Sequence, residues 1–329
     1  MVGELNCALH EAMAADDRVH VLGEDILDPY GGAFKATKGL SDRFGLDRVH
    51  TTPISEAAIV GIASGMALRG LRPVVEIMFG DFLTLCMDQI VNHISKWKYM
   101  FNEQVSVPLV IRTPMGGRRG YGPTHSQSIE ARFLGIPEVR VLSPSRFGSP
   151  ANLLRKAIDD DGPVLFIEYK TAYPSRLVSG TTKDRAFAIS STDNEYPTIR
   201  LSPTSGSPQV ALICYGANAA ICLEAAEILR ERYETCAELI ICTSLYPLDT
   251  SVLIERIAEH GRAVVVEEGV RCFGWGSELA ARLTEEAFDY LEAPIARVGS
   301  KSSPIGASTV LEDSILPSAQ DVVDAVLEI

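Results

Sequence analysis

Glu56-Ala-Ala-Ile-Val-Gly-Ile-Ala-Ser-Gly-Met-Ala-Leu-Arg-Gly-Leu-Arg-Pro-Val-Val-Glu-Ile77 carries two patterns one after the other. From Glu56 to Arg69 the pattern is helical, and from Pro73 to Ile77 it is a short β-branched run. The run is continuous rather than alternating, which predicts a strand covered by helices on both faces, as in a parallel sheet. Similar runs stand at Val19-His-Val-Leu22, Pro108-Leu-Val-Ile111, Arg140-Val-Leu142 and Pro163-Val-Leu-Phe-Ile167, with helical patterns over Asp81 to Met100 and Ser149 to Asp159. The alternation of strand and helix predicts an α/β fold.

Further along, a polar stretch breaks this rhythm. Residues 183–208 include Ser190-Ser-Thr-Asp-Asn194 and Ser202-Pro-Thr-Ser-Gly-Ser-Pro208 and read as an interdomain connection. The rhythm then restarts with strands at Val210 to Cys214, Leu239 to Ile241 and Ala263 to Val266. Helices are expected over Ala217 to Tyr233, Gly276 to Phe288 and Asp321 to Leu327. The expectation is two parallel-sheet α/β domains, 1–182 and 209–329, joined by a linker over 183–208.

Composition narrows the function. The chain has 329 residues, 43 acidic against 30 basic, for a net charge of -13, which argues against a nucleic-acid surface. No apolar run approaches the length of a membrane span, and Met1 to Glu11 lacks the basic start and apolar stretch of a secretory signal. The seven cysteines are odd in number and form no C-x-x-C pair, so reduced, structural thiols and a cytoplasmic location are expected.

Ligands of parallel α/β sheets bind beyond the carboxyl ends of the strands. Three loops follow strands in this way: Thr51 to Glu56, Met78 to Phe82 and Thr113 to Ser126. In the first, Ser55 can cap the helix and Glu56 lies in the first turn, where the helix dipole favours a carboxylate. That alone makes Glu56 an ordinary capping-region acid. Gly61 and Gly65, four apart on one helical face, point further, because paired helical glycines usually admit another backbone at close range. An acid at the head of such a helix is held in a restricted, partly dry position, from which it can hydrogen-bond a heterocyclic nitrogen.

Glu56-x4-Gly61-Ile62-x-x-Gly65 resembles the pyrimidine-side signature of thiamine-diphosphate enzymes. Val21-Leu-Gly-Glu-Asp25, Gly31-Gly-Ala-Phe34, Thr37-Lys-Gly-Leu40, Pro53-Ile-Ser-Glu56, Gly70-Leu-Arg-Pro73, Asp88-Gln-Ile-Val-Asn92 and Thr124-His-Ser-Gln127 widen the likeness. Val265-Val-Glu-Glu268, Gly274-x-Gly276, Glu285-Glu-Ala-Phe-Asp-Tyr290 and Ala293-Pro-Ile295 carry it to the C-terminal half. In this order, over nearly the whole chain, they are similar to the beta subunit of the thiamine-diphosphate-dependent 2-oxoacid dehydrogenases, with a pyrimidine-binding domain and a transketolase C-terminal-like domain.

The resemblance implies that Glu56 hydrogen-bonds N1′ of the aminopyrimidine and that Met78 and Phe82 pack against its ring, with Ile54 as a further cofactor contact. Read without it, Met78 and Phe82 are ordinary core residues. His125 matches the family histidine that sits near the cofactor and handles substrate or acyl group; read alone, it is a solvated histidine in a mobile, glycine-rich loop. Leu85 falls where some relatives carry a polar or acidic residue. Asp25 and Asp88 match family acids but serve equally as salt-bridge or capping residues. Arg118 and Arg119 could meet the substrate carboxylate, the partner chain or solvent. A structural potassium ion held by backbone carbonyls in some relatives would fall on Leu109, Ala157, Ile158, Asp160 and Gly162.

The diphosphate-side signature, Gly-Asp-Gly followed later by asparagine, does not occur; Gly80-Asp-Phe82 and Asp161-Gly-Pro163 do not supply it. Magnesium and the diphosphate are therefore expected on an alpha-type partner, in a heterotetramer of two alpha-type and two beta-type chains sharing the cofactor. The acyl acceptor would be a lipoyl acyltransferase, or an acyl carrier protein if the chain belongs to a biosynthetic relative that transfers a two-carbon unit. Acetoin-cleaving relatives share these motifs, and a non-catalytic assembly subunit is the remaining alternative.

Overall fold

A computed structural model describes residues 1–183 and 185–329. The chain divides into two units, the first made of Met1–Met115, Gly135–Leu142 and Ser149–Ser175. Its strands are β1 (Val19–Gly23), β2 (Val49–Thr51), β3 (Arg72–Glu76), β4 (Val110–Met115), β5 (Arg140–Leu142) and β6 (Val164–Tyr169). They run in the order β5-β6-β4-β3-β1-β2 and are parallel throughout.

The helices of this unit are α1 (Val2–Ala15), α2 (Leu40–Phe44), α3 (Glu56–Leu68), α4 (Trp97–Met100) and α5 (Pro150–Asp159). Helix α1, not anticipated from the sequence, buries Leu5, Ala8, Leu9, Ala12 and Met13 as one stripe and packs against α5. Helix α3 turns Glu56, Ile59, Val60, Ala63, Ser64 and Ala67 inward. Its other face, with Gly61, Ile62 and Gly65, is exposed.

The helix expected over Asp81 to Met100 is broken. It begins as 3-10 turns (Gly80–Cys86), continues as a π turn (Gln89–Ile94) and ends in α4. Gly80 lies so close to β4 that a Cβ there would meet the Met115 side chain, which fixes where the irregular segment starts.

The second unit comprises Gly116–Leu134, Ser143–Gly148 and Arg176–Ile329. It contains β7 (Phe187–Ser191), β8 (Ile199–Pro203), β9 (Val210–Tyr215), β10 (Ala237–Cys242), the short β11 (Ser244–Tyr246), β12 (Ala263–Val270) and β13 (Ala296–Ser300). Its sheet runs β13-β12-β9-β10-β8-β7 and is mixed: β13, β12, β9 and β10 are parallel, whereas β8 and β7 are antiparallel additions. The stretch read as a linker thus supplies a hairpin of this sheet. Phe187, Ile199 and Leu201 are buried in it, while Ser190, Ser191, Arg200 and Ser202 on the same strands are polar and at least partly exposed, which hid the strands. Asp184 of that stretch lies outside the described residues.

Helices α6 (Asn218–Tyr233) and α10 (Ala319–Leu327) cover one face of this sheet, and α7 (Ser251–His260) and α8 (Trp275–Ala287) also pack on it; α9 (Thr309–Ile315) precedes α10. Leu212, Leu239, Val264, Leu229 and Val322 meet in its core with Cys214 and Cys222. All seven cysteines are free thiols. Among the described residues no helix is long and apolar enough to cross a membrane.

Candidate active site

In the first unit, Gly23 at the end of β1 stands level with Thr51 of β2 and Glu76 of β3. The chain therefore leaves three adjacent strands at one edge, the place where an α/β sheet holds its ligands. Glu56 begins α3 there and is only 5% exposed. The Ser55 carbonyl accepts the Ile59 N–H, but the Ser55 side chain makes no capping bond, contrary to expectation. Its backbone N–H instead serves the carboxyl of Glu24.

Glu24 was not singled out in the sequence. It is buried, and its Oε1 has no partner among the described residues. Burial, and then the charge of Glu56, holds the Glu24 carboxyl above the usual carboxylate range. Asp25, which the sequence left open between a family acid and a salt-bridge or capping residue, takes a left-handed backbone (φ 54) and faces solvent. A second neighbour of Glu56 is Cys86, whose thiol is pushed up to about 12 by burial and by the Glu56 charge. Two carboxyls and a thiol thus share a dry corner.

Phe82 and Met78, both half-buried, follow β3. Phe82 is edge-on to Phe79 (5.9 Å), Phe79 is edge-on to Phe34 (5.8 Å), and Phe34 lies 5.2 Å from Tyr173. Tyr173 donates to Glu168 at 2.5 Å, and Glu168 receives two bonds from Arg112, at 2.9 and 2.6 Å. Arg112 also pairs with Glu76, which burial holds above the ordinary carboxylate range while Arg112 pulls it back. The aromatic row so rests on a buried, hydrogen-bonded ionic floor at the strand ends. Ile54 is 84% exposed and Leu85 is 57% exposed, so neither is packed within this unit. Asp88 accepts the Asn92 side-chain amide at 2.7 Å, four residues on, and makes no side-chain capping bond.

His125 lies in the second unit, half-buried, with Nδ1 2.9 Å from the Thr124 hydroxyl. Its loop is tethered rather than loose. The Gly117 N–H and the Ser128 hydroxyl both donate to Glu268, at 2.8 and 3.1 Å. The Arg119 and Gly120 N–H groups reach Glu312. Arg118 is engaged by Asp313 (3.0 Å) and the Pro317 carbonyl (2.6 Å), so its partners are inside its own unit. Arg119 remains exposed, 5.9 Å from the Tyr121 ring centre.

The five carbonyls considered for potassium lie in the first unit. Arg72 donates to two of them, Ile158 at 3.0 Å and Asp160 at 2.9 Å, and Leu109 accepts the Val164 N–H at 2.8 Å. Of Leu109, Ala157, Ile158, Asp160 and Gly162, two carbonyls therefore already face a guanidinium cation and a third is bonded within the sheet. Among the described residues no group of three or more His, Cys, Asp or Glu side chains could hold a metal ion. For thiamine diphosphate the fit is better. A buried carboxylate beside an orphaned Glu24 oxygen and a row of aromatic rings suits a flat ring that offers a nitrogen at its edge.

Residues 3–176 match the transketolase pyrimidine-binding domain and residues 202–322 the transketolase C-terminal domain. The chain is 37% identical over 325 residues to the pyruvate dehydrogenase E1 component subunit beta of Rickettsia bellii, covering 99% of this chain and 96% of that one. It is 37% identical to the 3-methyl-2-oxobutanoate dehydrogenase subunit beta of Mycobacterium tuberculosis (99% and 90% covered). It is 36% identical to the mitochondrial pyruvate dehydrogenase E1 subunit beta of Saccharomyces cerevisiae (99% and 87% covered). A solved structure described as a split-gene transketolase, an inactive beta4 tetramer, shares the fold with a TM-score of 0.74 at 23% identity, over 99% of this chain and 96% of that one. With both domains and nearly its full length matched, the chain belongs to the family of 2-oxoacid dehydrogenase E1 beta subunits.

Proposed function

We propose that this chain is the beta subunit of a thiamine-diphosphate-dependent 2-oxoacid dehydrogenase, acting on pyruvate or a related 2-oxoacid and passing the acyl group to a lipoyl carrier. The observation that carries the reading is Glu56: a buried carboxylate heading α3, at the carboxyl edge of a parallel sheet, in a chain alike from end to end to E1 beta subunits. When bound, the cofactor supplies an electron sink for the carbanion charge of decarboxylation. Glu56 holds a proton or a hydrogen bond at N1′ of the aminopyrimidine. Met78 and Phe82 offer the ring an apolar wall and keep water from it. His125 supplies an imidazole that handles a proton at the substrate or acyl oxygen.

An alpha-type partner supplies the diphosphate and magnesium site, since this chain carries no such signature. The exposed α3 face of Gly61, Ile62 and Gly65, with exposed Ile54 just before the helix and exposed Leu85 on the 3-10 segment that packs against it, is the seat assigned to that partner, in a heterotetramer of two copies of each chain. A cytoplasmic setting accords with seven free thiols.

The test is decarboxylation by the complex reconstituted with its alpha-type partner. Glu56→Ala should lower kcat by about 10²- to 10⁴-fold, the usual scale of a positioned acid-base group. Unchanged turnover would reject the assignment.

A further inference from the structure

Beneath the loop that carries His125, the second unit buries three carboxyls: Glu130 in the loop's last turn, and Glu267 and Glu268 side by side on β12. Each is at most 3% exposed. Glu268 accepts from Gly117 and from Ser128, the two ends of the loop, and its own carbonyl is held by the Ser300 hydroxyl. Glu130 accepts the Tyr215 hydroxyl, and Tyr215 is edge-on to Trp275 at 4.9 Å.

Glu267 lies in a space cleared by glycines. A Cβ on Gly274 would strike its carboxylate, and one on Gly276 would stand 2.9 Å from it. The Gly276 N–H donates to it at 3.1 Å. At Gly269, a Cβ would lie 3.2 Å from a Glu130 oxygen and 3.5 Å from a Glu267 oxygen. The two carboxyls therefore approach each other over a residue that has no side chain to separate them. The charged and titratable groups facing Glu267 are Glu130 from the loop, Arg297 from β13 at 3.7 Å and, beyond Glu130, Tyr215 from β9; α8 contributes backbone N–H and the Trp275 ring. One guanidinium does not balance this many buried acids, so a retained proton is the cheapest arrangement. Burial, then the Glu130 charge, accordingly pushes Glu267 up to about 8.

We propose that Glu268, Glu267 and Glu130 are positioning residues that clamp the His125 loop: Glu268 ties its two ends together, and Glu130, held by Tyr215, seats its last turn beside Glu267, whose retained proton keeps the two acids from repelling. The clamp matters for turnover because of the role given above to His125, and it rests on that reading for its function though not for its existence. That proton on Glu267 is present below about pH 8 and is lost as pH rises through that value, when the two carboxylates repel and the loop end loosens.

Hydrogen exchange of the 117–128 amides in the full-length chain, corrected for intrinsic rates, tests the clamp directly. Glu268→Ala should raise exchange across the loop at least about tenfold, the scale of one lost hydrogen bond to a charged group, while β9 and β10 stay protected. Glu268→Gln, which keeps an acceptor, should fall between the two. In the unaltered chain loop protection should drop between pH 7 and 9, and Glu267→Gln should abolish that drop while keeping protection at pH 7. If Glu268→Ala does not fold, Ser128→Ala and the Glu267→Gln pH series decide alone. Loop exchange unaltered in Glu268→Ala, or in Ser128→Ala should that be the variant available, overturns the proposal, as does a pH step that survives Glu267→Gln. In the reconstituted complex, Glu268→Ala should lower kcat more than it alters KM, and His125→Ala should do the same. A complex with no decarboxylase activity at all would sink the function and leave the exchange result standing.

Discussion

Glu238 shows how much one buried charge can hold. On β10 and 1% exposed, it receives Arg200 (2.8 Å), Ser202 (2.6 Å) and Arg256 (3.0 Å), and lies 2.9 Å from His260. Burial acts to raise its pKa, yet the bonds from His260, Ser202 and Arg200 prevail and lower it to about 2 from an ordinary 4.5. A carboxyl with a depressed folded pKa adds stability that is fully present above its unfolded pKa and is lost as pH falls through the folded one. The window is thus about pH 4.5 down to 2, and the linked contribution is about 3 kcal/mol. Glu238→Ala should lower stability at pH 7 by about 3 to 5 kcal/mol, because His260, Arg200 and Ser202 lose their buried acceptor and Arg256 is left with Glu255 and Glu259. Urea unfolding from pH 7 to pH 2 measures both effects, and the variant's curve should be flatter in acid. The same scale separates what the sequence could tell about the site. Glu56 could be read because a first-turn acid and two spaced glycines leave a pattern. Glu24 and Asp25 are adjacent in sequence, and only the left-handed backbone at Asp25 decides which of them is buried.

At the level of elements, continuous apolar runs made the parallel strands β1, β3, β4, β6, β9, β10 and β12 legible, since both faces of each are covered. The hairpin β7-β8 was not, because its polar residues sit on a half-covered edge and its anchor is ionic: Arg200 and Ser202 of β8 reach Glu238 on β10. The irregular segment from Gly80 to Met100 was read as one helix, because side-chain periodicity does not report a π turn closed by the Ser95 N–H on the Ile90 carbonyl. Helix α3 carries a prediction of its own. Its glycines were expected to admit a neighbouring backbone, but a Cβ on Gly65 meets nothing within 4 Å and one on Gly61 only the Gln89 side chain at 4.0 Å. In the isolated chain Gly65→Ala should therefore stabilise by up to about 1 kcal/mol, through helix propensity alone. If the alpha-type partner seats there, Gly65→Ala or a bulkier Gly65→Leu should weaken co-purification even as thermal stability of the free chain rises. Undiminished assembly with Gly65→Leu would remove this face from the partner interface.

For the molecule as a whole, half of a cofactor site is an energetic statement. On the proposed function, Glu56, Met78 and Phe82 offer an aminopyrimidine a carboxyl contact and an apolar wall, but the chain has neither the Gly-Asp-Gly signature nor, among its described residues, a metal-binding group for a magnesium diphosphate. With a net charge of -13, it has no general attraction for a diphosphate either. A ligand that binds only the folded state raises stability by RT ln(1 + [L]/Kd), so affinity can be read from a melting curve. Thiamine diphosphate with magnesium, at concentrations that saturate the reconstituted complex, should leave the melting temperature of the isolated chain unchanged. The same addition to the chain mixed with its alpha-type partner should raise it, and Glu56→Ala should reduce that rise without preventing assembly. An isolated chain stabilised as much as the complex would mean that it holds the diphosphate by itself. The division of labour between the two subunits would then have to be redrawn, while the assignment of Glu56 to the pyrimidine would survive.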